Sequence, residues 1–349
     1  MGGKTEVEDV GGGVSREELD EILVVTREFA SRELASKALA IDVAEGGAQI
    51  DAWNGLREIG LDRAILPEDE GGAGIGLPGL LAVLEELACG DGGIATLALL
   101  SNAALAVLPA DVRVKIDGAA RIALVPLPAP GTPGGSSLGI VDGAKADGRI
   151  EFALGAFGAE ALVLVAREGD SRAVYLVECD ADGLVFIGDE QQMGLNGAPA
   201  AAVDFTGVPV ARIGGEAEAV KALALVNAGI AAVARGVSRR ARDIALDYAE
   251  NRYQGGSMIV EYGAIVDMLA RITERNRAVA GAAVFEGYSL DSVDRDGGRE
   301  LLAQALAAKA AATEAAAEST TDAVQSMGGM GYMHETGVEK LMRDARYCQ

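Results

Sequence analysis

Between Ser15 and Ser36 the segment SREELDEILVVTREFASRELAS sets Leu19, Ile22, Leu23, the pair Val25/Thr26 and Phe29 at helical spacing among charged residues. That period predicts an amphipathic helix, and Ser15 with Glu18 three residues on supplies a capping box for its start. A second helix is expected over residues 51–61 (DAWNGLREIGL), followed by a turn-rich stretch, LPEDEGGAGIGLPG. Two apolar runs, LLAVLEELACG and GIATLALLSNAALAVLP, then complete a helical first region ending near residue 118.

From Ala119 to Arg212 the pattern shortens to β-branched and aromatic runs broken by glycine: RIALVPL, RIEFAL, ALVLVARE, RAVYLVECD, GLVFIG and AAVDFTGVPV. Short strands without intervening helices point to a small β-barrel or sandwich. Helical composition returns after Gly214 in three long segments, and short breaks between them imply an antiparallel bundle closed by a fourth helix. The expected architecture is α+β: an N-terminal arm (1–14), a helical domain (15–118), a middle β-barrel domain (119–212) and a C-terminal four-helix bundle (213–349).

Composition narrows the function. At 349 residues and 50% hydrophobic the chain can bury a sizeable core. A formal charge of −23 argues against nucleic acid and anionic membrane as partners, because both need clustered Lys and Arg. The Ala/Leu run before Pro109 has the length of a core helix rather than a membrane span. The opening residues are acidic and glycine-rich, unlike a secretory leader. Cys89, Cys179 and Cys348 are widely spaced and suggest free thiols in a reducing cytoplasm, with no thiolate metal site. His334 is the only histidine, which excludes a His-pair metal site and most Ser-His-Asp schemes.

Four strings give the chain a family likeness: LREIGLDRAILPEDEGGAGIG (56–76), MGLNGAPAAAVDFTGVPV (193–210), YAENRYQGGSMIVEYGAIVDMLA (248–270) and QSMGGMGYMHETGVEKLMRDAR (325–346). In this order, and with this succession of domains, the chain resembles the acyl-CoA dehydrogenase superfamily of flavoproteins over nearly its whole length. The resemblance implies FAD lying across a subunit interface, its isoalloxazine against the barrel of one subunit and its ADP half against the bundle of the neighbour. It also implies a glutamate that removes the α-proton of an acyl-CoA thioester.

The likeness is uneven. On the ADP side Arg252 stands at the family's bundle arginine, with Gly255 and Gly256 where a Phe-Gly pair is usual. Gln325, Gly328 and Gly329 match its Gln-x-x-Gly-Gly. A guanidinium suits a pyrophosphate because it presents a fixed fork of donors, and bare glycine backbone admits close approach. Arg252 as a helix C-cap, with glycines that only turn the chain, is the plain structural alternative. On the ring side Pro126 and Leu127 replace a Thr-Glu pair, and Leu154 replaces a polar contact beside Phe152. The glycines of PGTPGG (130–135) read as a turn, since no Lys-Ser/Thr follows.

No catalytic base is evident. One family glutamate follows the RDA segment, and the sequence reaches Gln349 first; the other falls at Val226 and Asn227. Glu335 and Glu339 read as solvated or salt-bridged charges, and His334 as a surface turn residue. The expectation is a non-catalytic subunit that shares FAD with a catalytic acyl-CoA dehydrogenase chain in a heterotetramer, with an electron-transfer flavoprotein as acceptor. A self-sufficient enzyme whose base is truncated or relocated, a flavin-free structural or regulatory homologue, and an oxygen-using flavin enzyme remain open alternatives.

Overall fold

The computed structural model describes residues 14–116, 121–127, 136–141, 144–188, 192–282 and 298–349. Of the expected N-terminal arm only Val14 is described, and it is buried; the boundary near residue 118 and the 130–135 turn lie outside the described residues.

Helix α1 (Arg16–Phe29) begins at the predicted capping box: the Glu18 N–H donates to Ser15 Oγ, while Glu18 Oε2 accepts from the Ser15 N–H at 2.7 Å. Leu23, Thr26 and Phe29 are buried, and of the Val25/Thr26 pair the structure selects Thr26, leaving Val25 49% exposed. Thr26 can enter the core because its hydroxyl donates to the Ile22 carbonyl at 2.8 Å. After short α2 (Ala38–Asp42) come α3 (Ala48–Glu58), α4 (Leu77–Gly90), α5 (Gly92–Val107) and α6 (Ala110–Ile116). The second helix thus starts three residues earlier than its pattern suggested. In α5 every residue except Ala106 is buried, as expected of a core helix.

The middle region is two four-stranded sheets among the described residues, packed on a shared apolar cluster as the sandwich form of the expected barrel or sandwich. The first runs β1 (Ile122–Pro126), β4 (Ala161–Glu168), β5 (Ser171–Glu178) and β8 (Ala211–Gly214), with β1 and β4 parallel. The second runs β2 (Gly139–Val141), β3 (Lys145–Ala153), β7 (Ala201–Pro209) and β6 (Leu184–Ile187), all antiparallel. Strand β8 carries the region to Gly214, so its edge falls beyond the expected residue 212. The near-continuous apolar runs of β1 and β4 have a physical cause. Alternate residues Ile122, Leu124, Val163 and Val165 pack with the helical core, while Ala123, Val125, Leu162 and Leu164 pack with the second sheet.

The bundle comprises α7 (Glu216–Asn251), α8 (Gly263–Ala282), α9 (Arg299–Ser326) and α10 (Val338–Cys348), with a hairpin of β9 (Tyr253–Gln254) and β10 (Ser257–Met258) between the first two. Small residues let these helices close up. A Cβ on Gly236 of α7 would lie 2.3 Å from the Glu85 carbonyl oxygen of α4, so the two backbones meet directly there. Buried alanines, including Ala305, Ala308, Ala312 and Ala316, form the inner stripe of α9.

Candidate functional site

Three elements converge at one end of the bundle. Arg271 and Arg275, in the middle of α8, pair with Asp322 near the C-terminus of α9, with Arg275 Nη1 2.6 Å from Asp322 Oδ2. These pairs align the start of α8, and therefore the β9–β10 hairpin before it, with the end of α9. Arg252 is the residue that ends α7, and Gln325, Gly328 and Gly329 lie where α9 ends. The structure therefore brings the four sequence-predicted residues to the same end of the domain.

Their side chains face outward. Arg252 is exposed and makes no ion pair among the described residues; its nearest polar contact is Gln254 Oε1 at 3.4 Å. Gln325, Gly328 and Gly329 are exposed, and a Cβ on either glycine would meet nothing within 4 Å. Gly328 adopts φ +58°, a conformation glycine takes without strain. The hairpin is latched from both sides: Tyr253 Oη donates to the Gly256 carbonyl at 2.8 Å and Tyr262 Oη to the Gln254 carbonyl at 2.7 Å. Where the family's aromatic is missing at Gly255, the Tyr262 hydroxyl lies 2.7 Å from the point a Cβ would occupy. Tyr262 fills that space, a substitution legible only in three dimensions.

The wall aligned with a flavin ring is of opposite character. Pro126 ends β1 and has no N–H, and the Leu127 N–H is already donated to the Val165 carbonyl at 3.0 Å. Leu154 packs against the helical core, and the half-buried Phe152 ring sits 5.9 Å from that of Tyr347. In α7, half-buried Val226 packs on the core, and Asn227 Nδ2 donates to the Leu223 carbonyl at 2.7 Å. Neither is titratable.

Residues 16–110 match the acyl-CoA dehydrogenase N-terminal domain and residues 214–349 the C-terminal domain. The chain belongs to the acyl-CoA dehydrogenase superfamily. Cyclohex-1-ene-1-carbonyl-CoA dehydrogenase of Geobacter metallireducens is 29% identical over 94% of this chain and 92% of its own length. The enzyme of the same name from Syntrophus aciditrophicus is 28% identical over 95% of this chain and 86% of its own. The solved butyryl-CoA dehydrogenase of Megasphaera elsdenii shares the fold, with a TM-score of 0.81 at 21% identity over 96% of this chain and 94% of that one.

Acyl-CoA dehydrogenase homologues are FAD-dependent oxidoreductases. Against that cofactor the two halves of this chain divide. The unpaired Arg252 guanidinium, the Gln325 amide and the open backbone at Gly328 and Gly329 fit a diphosphate with its nucleoside. The wall of Pro126, Leu127 and Leu154 does not fit an isoalloxazine, whose hydrogen-bonding edges would find no side-chain donor at these positions. Each buried acceptor left unpaired costs about 1–3 kcal/mol.

The superfamily string at the C-terminus has a second role that sequence reading missed. Lys340 Nζ is fully buried between Asp91 Oδ2 at 2.8 Å and Asp344 Oδ2 at 2.7 Å. Asp91 also caps α5, accepting from the Ile94 N–H at 2.9 Å, while Asp344 accepts from the Leu195 N–H at 2.7 Å. Burial alone would lower the Lys340 pKa, but the two carboxylates hold it above the usual lysine range. Burial and the second carboxylate push Asp344 up, as one ammonium between two carboxyls leaves surplus negative charge. Nearby, Arg343 joins Asp42 at 2.6 Å, Glu339 at 2.7 Å and the Met193 carbonyl at 2.8 Å. Helix α10 thereby clasps the N-terminal helices to the 193–198 loop. Glu339 belongs to this clasp and also meets His334 Nδ1, whereas Glu335 is exposed.

Proposed function

We propose that this chain is a non-catalytic subunit of a heteromeric, FAD-dependent acyl-CoA dehydrogenase, two copies of each chain forming the assembly in the cytoplasm. Its bundle end holds the ADP half of the cofactor bound by a catalytic partner. The observation that carries this reading is the contrast between its two half-sites: an open bundle end bearing the exposed Arg252 guanidinium, and an apolar ring wall without side-chain donors. Val226 and Asn227 add to it, since a general base needs a titratable group within reach of the carbon acid.

In this reading Arg252 grips the pyrophosphate with its forked donors, Gln325 offers an amide to the nucleoside, and Gly328 and Gly329 let it approach the backbone. FAD, when bound, supplies the hydride-accepting chemistry, and the partner supplies the glutamate that takes the α-proton. Electrons then pass to an electron-transfer flavoprotein. The two relatives named for a cyclohexenecarbonyl thioester favour an alicyclic or similarly bulky acyl-CoA as substrate.

Assayed alone with excess FAD, the chain is expected to dehydrogenate neither alicyclic nor straight-chain acyl-CoA thioesters. Co-produced with an acyl-CoA dehydrogenase encoded beside it, it is expected to form a complex with activity. Turnover by the isolated chain would overturn the assignment.

A further inference from the structure

Away from the bundle end, a cleft of about 370 Å³ opens where α1, α4 and α7 meet, walled by Arg27, Glu86, Cys89, Arg239, Arg240 and Asp243. It has a built frame. The five-residue π-helical turn Ala30–Leu34 that continues α1 docks on Gly90, where a Cβ would come within 2.5 Å of the Ala30 carbonyl oxygen. Such widened turns are frequent at functional sites. Glu86 is shared by Arg27, at 3.0 Å, and Arg239; Arg239 also reaches Glu85 at 2.9 Å and donates from Nε to Cys89 Sγ at 3.0 Å. The cleft walls are thus pinned by their own ion pairs.

Arg240 stands apart from this network. It is half-buried, lines the cleft, and has no ion pair or hydrogen bond among the described residues. The carboxylate best placed to serve it along the helix, Asp243, accepts instead from Arg242 Nη2 at 2.6 Å and Nε at 2.9 Å. Three guanidinium groups line the cleft: Glu85 and Glu86 hold Arg239 and Arg27, Asp243 is taken by Arg242, and Arg240 is left without a carboxylate among the described residues. A partly desolvated guanidinium without a counter-charge is unfavourable, and a planar fork of donors matches a phosphoryl group. Ser31, which also lines the cleft, adds a hydroxyl.

We infer that this cleft is a phosphate-monoester site centred on Arg240, separate from the bundle-end site and independent of the role proposed for it. A dianion there would neutralise Arg240 and draw in Arg27, which keeps half of its side chain exposed even while paired. Free phosphate and the 3′-phosphate of coenzyme A share the required chemistry.

The test is calorimetric titration of the intact chain, in phosphate-free buffer at low salt, with inorganic phosphate, coenzyme A and dephospho-coenzyme A. Saturable 1:1 binding is expected, weakened roughly tenfold or more in Arg240→Ala and largely kept in Arg240→Lys. Equal affinity for phosphate and coenzyme A identifies free phosphate as the ligand. Tighter binding of coenzyme A that dephospho-coenzyme A lacks identifies the 3′-phosphate. Absence of saturable binding for all three probes overturns the inference, as does binding unaltered in a folded Arg240→Ala.

Discussion

Arg252→Glu should leave the chain folded and assembled while stripping FAD from its complex with the catalytic partner. Arg252 is exposed and outside any ion pair among the described residues, so its replacement should change stability by no more than about 0.5 kcal/mol. At the cofactor the effect is of another size. Reversal removes a forked, charge-assisted contact and sets a carboxylate beside a diphosphate, a loss on the order of 2–5 kcal/mol, or at least about thirtyfold in affinity. Flavin absorbance of the purified complex, read beside the thermal transition of the isolated variant, separates the two effects. A complex that keeps wild-type flavin would remove Arg252 from the site and return it to the plain role of helix terminator.

The largest effect on stability is expected at Lys340. Lys340→Met keeps much of the side-chain volume but leaves Asp91 and Asp344 facing each other in a buried pocket without their shared ammonium. Breaking a buried charge cluster in this way costs about 3–5 kcal/mol. The pH dependence identifies the cause. In the wild type the Lys340 pKa is raised, so its contribution is complete below the ordinary lysine pKa and is lost only as pH climbs through the raised value, far above neutrality. In the variant Asp344, whose pKa burial and the Asp91 carboxylate already push up, loses the ammonium that opposed the rise, and the two carboxyls repel. Protonation relieves them, so the stability gap to wild type should narrow as pH falls toward 5. Chemical denaturation at neutral and mildly acid pH measures it. A pH-independent gap would mean that lost packing, not stranded charge, is responsible.

Much of the scaffold was legible because its signals are local. The Ser15–Glu18 box starts α1 where the pattern placed it, and the Ala/Leu run of α5 is a buried core helix. The choice of Thr26 over Val25 was not legible, since it depends on a hydroxyl satisfied one turn back. The sequence left barrel and sandwich open, because the runs of β1 and β4 look alike whether a barrel wall or a helical layer covers them. At the site, residue types could be read but not their surroundings. Arg252 and Gln325 were identified by motif, yet their place at a common bundle end shows only through the α8–α9 ion pairs that align the helices. Gly255 read as a lost aromatic, whereas Tyr262 returns from the next helix boundary to fill the space. The Lys340 cluster escaped notice because Asp91 is distant in sequence, and a lysine among charged neighbours looks like surface.

The ratio of FAD to protein decides the central claim most directly, measured for this chain alone and for the complex it forms with an acyl-CoA dehydrogenase encoded beside it. The split between its two half-sites predicts a colourless chain alone and one FAD per pair of unlike chains in the complex. One FAD per chain in the isolated protein would contradict it, showing that the wall of Pro126, Leu127 and Leu154 accepts the flavin ring after all.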